Sequence, residues 1–185
     1  MPIVPDTKDW TWVLERPCPE CGFDASTLPA DRVPELVRAN AAAWQEVLSR
    51  PRAELTTRPS DDRWSALEYA CHVRDVLRLY DQRLALMLTE DDPDFANWDQ
   101  DEAAIKGRYA EQDPEVVADQ LEAAAQTMVD HIQALRPDQL GRTGRRSNGS
   151  EFTVVTLLQY FLHDVVHHLW DVTGQQDAAA SLALE

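Results

Sequence analysis

Four stretches of this chain space their apolar residues three and four positions apart, and no stretch alternates them every second position, so the sequence constrains itself to helices packed on helices. The first runs from about Asp31 to Arg50, with Val33, Leu36, Val37, Asn40, Trp44, Val47 and Leu48 on one face and Pro51 as its stop. The second runs from Ser65 to about Thr89, with Val73, Val76, Leu77, Tyr80, Leu84 and Leu88 inward. Ser65 followed three residues later by Glu68 reads as a capping box. The third starts at the Asp113 cap with Pro114 in its first position and carries Val117, Leu121, Ala124, Ala125, Met128, Ile132 and Leu135 on one stripe. The fourth spans about Phe152 to Thr173 and ends at Gly174, the residue type that closes helices in a left-handed conformation. Together they predict an all-α protein, most simply a four-helix bundle with an irregular N-terminal arm.

A chain of 185 residues suits one domain around one core. The expected division is an arm over residues 1–30, a bundle over 31–174 and a flexible tail over 175–185. Between the second and third helices, the acidic stretch from Glu90 to Asp113 loses periodicity for over twenty residues, a length that usually marks function or mobility. The formal charge of −16 opposes nucleic acid and anionic membrane surfaces. A small-molecule or protein partner is therefore the expected default, with a small-molecule substrate the favoured reading. No apolar run approaches the length of a membrane span and no basic apolar leader is present, so the expectation is a soluble, cytoplasmic protein.

Three of the five histidines fall in one apolar helical stretch, YFLHDVVHHLWD, as His163, His167 and His168. His163 and His167 are four apart, so one helical face presents both, with Cβ atoms roughly 5–6 Å apart, and both can reach one divalent ion. His72, about two turns into the second helix, is the candidate third ligand, with Glu68 and Asp75 placed to bond its other ring nitrogen. The competing reading is of histidines at the core edge, bonded to backbone and carboxylates. His131, beside the stripe of the third helix, reads as an ordinary edge histidine.

The three cysteines form no disulfide framework. Cys71 reads as a small buried apolar residue. Cys18 and Cys21, in CPECG, look like one knuckle of a zinc ribbon, but no second knuckle follows. The favoured reading is a turn shaped by Pro19 and Gly22 with free thiols. A structural metal site and a redox pair are the alternatives. Arg142, Arg145 and Arg146 lie in a glycine- and serine-broken loop from Gly141 to Ser150, where they suit a ligand's carboxylate or phosphate or, as the blander reading, surface salt bridges. Trp98 and Tyr109 are candidate pocket residues or simple anchors.

The pattern W-S-x-x-E-x-x-x-H, here Trp64, Ser65, Glu68 and His72, together with H-x-x-x-H at His163 and His167, resembles the DinB/YfiT-like superfamily of metal-binding four-helix bundles. The resemblance covers roughly Asp31 to Gly174. It implies His72, His163 and His167 as metal ligands in an open site, with Zn²⁺ first and Ni²⁺ or Fe²⁺ as alternatives. His168 departs from the pattern, since many members place their adjacent histidine pair one residue earlier, and a slip of the ligand from His167 to His168 is the variant reading. Relatives include low-molecular-weight-thiol S-transferases, a mycothiol-dependent maleylpyruvate isomerase and metal-dependent hydrolases. The resemblance thus implies a transferase that activates a mycothiol-like thiol; the arginine loop, with Arg145, and Trp98 are the residues expected to contact its substrate. A hydrolase and a non-catalytic metal-binding module are the alternatives. Relatives pair through their helices, so a homodimer is also expected, although no sequence patch demands one.

Overall fold

A computed structural model describes residues 10–175. Its long helices are α1 (Val33–Leu48), α3 (Ala66–Thr89), α5 (Pro114–Gln133) and α6 (Val154–Thr173), with short helices α2 (Arg52–Thr56) and α4 (Gln100–Lys106) between them. The expected ends are in place because they are set by local hydrogen bonds. Ser65 caps α3 with both bonds of the capping box, and Asp113 accepts from the N–H of Glu115 ahead of Pro114. Gly174 takes φ +66° and donates its N–H to the carbonyl of Trp170.

Helix α3 packs on α5 and α6, and α1 packs on the same two helices from the other side. Going round the bundle the order is therefore α1, α5, α3, α6, so the consecutive helices α5 and α6 lie on a diagonal. Trp44, Leu67, Leu84, Met87, Leu121, Met128, Leu157 and Phe161 fill the centre. Burial of such side chains, each contributing roughly 1.5–3 kcal/mol, holds α3 and α6 in fixed rotation about their axes. That rotation decides which side chains of the two helices meet.

The loop stretches hold more order than their composition suggests. Asp94–Phe95 (β1) pairs in parallel with Thr143–Arg146 (β2), which pairs antiparallel with Glu151–Thr153 (β3). Strands of two to four residues are too short to display a period of two, so the sequence pattern does not announce them. Gly144 allows the close approach, since a Cβ there would sit 2.8 Å from both Met87 Cγ and Phe95 Cε1. Within the acidic stretch, Asp99 caps α4 and the Tyr109 hydroxyl donates to Asp75 at 2.5 Å. Of the arm, Thr11–Leu14 forms a 3-10 turn that packs on α6. The expected tail lies outside the described residues from position 176 onward, as do the first nine residues of the arm.

Candidate metal centre and pocket

Helix α6 carries two interleaved pairs with the same four-residue step. His163 and His167 form one, and Asp164 and His168 the other, rotated from the first by about 100°. The structure sends the two pairs to different partners.

Asp164 and His168 meet His72 of α3. The Oδ1 atom of Asp164 lies 3.4 Å from Nε2 of His72 and 3.4 Å from Nε2 of His168, and one ligand atom from each residue lies within 4.8 Å of the other two. The separation from His72 is long for a hydrogen bond. His72 is 1% exposed, and both its ring nitrogens and Asp164 Oδ1 are buried without a hydrogen bond. Such atoms cost about 1–3 kcal/mol each unless something satisfies them. Asp171 pairs with Nδ1 of His168 at 3.0 Å, which turns Nε2 of that ring to the cluster.

The electrostatics suit cation binding. Burial pushes His72 below the usual imidazole range, against the pull of Asp164, and keeps it neutral near pH 7. Asp164 is held low. Burial alone would raise it, but the His72 ring and the electrostatic influence of His168 outweigh that. Imidazoles from two helices with a carboxylate between them are a donor set for Zn²⁺, Fe²⁺ or Ni²⁺.

His163 and His167 turn instead toward the arm. They gather with Cys18 and Cys21, all four buried, and again one ligand atom from each lies within 4.8 Å of the others. Cys18 Sγ is 3.7 Å from Nδ1 of His167, and Nε2 of His163 is buried without a hydrogen bond. Burial lowers His163 to about 4, with the neighbouring His167 adding to the effect. It raises the Cys21 thiol to about 12, partly opposed by the backbone of Phe23.

The three histidines expected to share one ion therefore fall in two clusters, with His72 in one and His163 and His167 in the other. The reason is the rotation of α6 against α3, which faces the Asp164 edge toward His72. Neither Glu68 nor Asp75 bonds His72. Glu68 turns back to the N–H of Ser65 and to Arg58, while Asp75 is taken by Arg74 and Tyr109. His131 is exposed and pairs with Asp81. Cys71 is fully buried and its thiol is raised to about 12 by that burial.

A cavity of about 920 Å³ opens beside both clusters, and its wall includes Trp64, Tyr69, Trp98, Arg63, Arg146 and Asp164. Trp98 stacks on the His72 ring at 5.3 Å and 26°, with Trp64 against the same ring at 5.2 Å. Arg145 is not on that wall. It pairs with Asp92 at 3.0 Å and Asp94 at 3.4 Å, whereas Arg146, one step along β2 and so on the opposite face, lines the cavity. Asp164 is not marked by the H-x-x-x-H pattern, which picks out imidazoles alone. Its own four-residue step to His168 was the available signal.

A family model of the DinB superfamily matches residues 35–172. Among solved structures, YfiT from Bacillus subtilis, a probable metal-dependent hydrolase with an unusual four-helix bundle topology, superposes with a TM-score of 0.72 at 18% identity. The alignment covers 84% of this chain and 89% of that one. No curated protein matches. Cys18 and Cys21 precede the span that the family model covers.

Proposed function

Since the chain belongs to the DinB superfamily, we propose that it is a metal-dependent enzyme acting on a small molecule, with a divalent cation, Zn²⁺ before Ni²⁺ or Fe²⁺, held by His72, Asp164 and His168. The observation that carries this is the convergence of those three side chains beside the cavity, with His72 Nε2 and Asp164 Oδ1 buried and lacking hydrogen bonds. In this reading residues 31–174 are the catalytic bundle and 1–30 a separate N-terminal arm. A cation bound there supplies Lewis acidity, which lowers the pKa of a thiol or water beside it.

The residues around the cluster have separable tasks. Asp171 orients the His168 ring, Trp64 and Trp98 wall the His72 ring from water, and Arg63 and Arg146 offer guanidinium groups to an anionic substituent. The reaction class is S-transfer from a low-molecular-weight, mycothiol-like thiol. Sulfur bonds to an electrophilic carbon, the leaving group departs with the bonding pair, and the thiol proton passes to solvent. A cavity near the upper end of the roughly 300–1,000 Å³ typical of ligand sites has room for a thiol and its electrophile together. Hydrolysis is the second reading, favoured by the likeness to YfiT.

The test is turnover of a chlorobimane with mycothiol by protein loaded in turn with Zn²⁺, Ni²⁺ and Fe²⁺, beside hydrolysis of an activated ester without thiol. Conjugation should fall in His72→Ala and Asp164→Asn by more than the ~10–100-fold that loss of an outer-shell partner costs. Ester turnover that needs no thiol and falls in the same variants selects the hydrolase. Rates unchanged by either substitution overturn the assignment.

A further inference from the structure

We infer that Cys18, Cys21, His163 and His167 form a second metal site, a closed tetrahedral Zn²⁺ centre that fastens the N-terminal arm to α6. Tetrahedral zinc, with Zn–S near 2.3 Å and Zn–N near 2.0–2.1 Å, places its donor atoms about 3.3–3.8 Å apart. Cys18 Sγ and His167 Nδ1 are already 3.7 Å apart, and one donor from each of the four residues falls within 4.8 Å of every other. His163 completes the set of four, and its Nε2 is buried without a hydrogen bond.

The local chain geometry suits thiolate binding. Gly22, at φ +75°, donates its N–H to the carbonyl of Cys18, and the Cys18 N–H bonds the carbonyl of Phe23, which closes the C-P-E-C turn with both sulfurs inward. His167 has carboxylates on its far side as well. With Nδ1 facing Cys18, its Nε2 lies 3.6 Å from Glu20 and 3.9 Å from Asp171, beyond direct hydrogen bonding but close enough for both charges to act on the ring. The rings of Trp10 and Trp12 cover the histidines, with Trp10 5.2 Å from His167 and 5.7 Å from His163. Neither cysteine lines the cavity, so the pair is not placed to meet a substrate. C-x-x-C with H-x-x-x-H is the ligand spacing of a Cys₂His₂ site, here with the two halves 149 residues apart at Cys18 and His167.

The consequence reaches the pocket. Trp10 and Glu20, which the zinc would hold in place through the arm, are part of the cavity wall. The site thus serves as a clasp, separate from the His72 cluster.

Cobalt substitution of the intact protein tests it without relying on turnover. Co²⁺ at this site should give thiolate-to-metal charge-transfer absorption, retained in His72→Ala and absent from Cys18→Ser/Cys21→Ser. Elemental analysis should find one fewer Zn²⁺ per chain in the double-cysteine variant than in the parent, and one fewer in His72→Ala with the charge-transfer band intact. If the cysteine variant does not fold, the spectrum of the parent decides alone. A cobalt-loaded parent lacking the sulfur band, or a folded cysteine variant with the parent's zinc content, overturns the inference. Loss of conjugating activity in His72→Ala with the sulfur band retained concerns only the other cluster.

Discussion

Replacing Glu68 with alanine removes the residue that ties together the start of α3, one turn before His72. Its side chain is 4% exposed, accepts from the N–H of Ser65 at 2.9 Å and from Nε of Arg58 at 2.9 Å, and makes a second contact with the Arg58 guanidinium. Loss of the cap costs about 1 kcal/mol. Bonds to a charged group contribute about 1.5–3 kcal/mol, taken at the low end because the Arg58 side chain is 28% exposed. The sum is about 2–4 kcal/mol, or roughly 5–10 °C in Tm for a domain of this size. Burial by itself would raise the Glu68 carboxyl, but Arg58 and the Ser65 N–H hold it below its usual value near 4.5. A carboxyl that binds its proton more weakly in the folded chain stabilises fully above that value and loses the contribution as pH falls through the lower, folded one. Melts followed by circular dichroism should therefore show a wide gap between parent and Glu68→Ala at pH 7 that narrows as pH falls below about 4.5. Glu68→Gln, which keeps an acceptor for the cap, should fall between them. An equal gap at both ends of the range refutes the argument. So does loss of metal from Glu68→Ala without loss of Tm, since that would place Glu68 on His72 instead.

The metal-free protein should be acid-sensitive through His163, whose value of about 4 in the folded chain lies below the 6.5 of a free imidazole. The folded state binds that proton less readily, so stability holds above about 6.5 and drains toward pH 4, by at most about 3 kcal/mol; a chelated His163→Asn variant whose Tm falls as steeply as the parent's would count against this. Gly144→Ala should cost about 1–3 kcal/mol, because the added methyl meets Met87 and Phe95 at 2.8 Å; an unchanged urea midpoint would show that the two side chains give way freely. Arg146→Ala should raise KM for an anionic substrate while Arg145→Ala leaves it alone, since only the former lines the cavity. The reverse ranking would mean that the sheet edge, and not its cavity face, meets the ligand.

Helix positions and caps were legible in the chain because they depend on near neighbours. Ser65 with Glu68, Asp113 with Pro114, and Gly174 each act over one turn, and the apolar stripes of α1, α3, α5 and α6 name the faces that pack. The four-residue steps on α6 were equally open to reading, and so was the C-x-x-C turn. What a linear pattern leaves undetermined is which step faces which partner. His163 with His167 and Asp164 with His168 differ by one residue, about 100° of rotation, and both are consistent with an amphipathic helix. Packing of Leu157, Phe161 and Leu162 against the core fixes that rotation, gives the Asp164 edge to His72, and leaves the His163 edge for a cysteine turn 149 residues away from His167. Local hydrogen bonding and periodicity determined the rods and their ends. Their mutual rotation, an energy summed over the whole core, decided which side chains share a site.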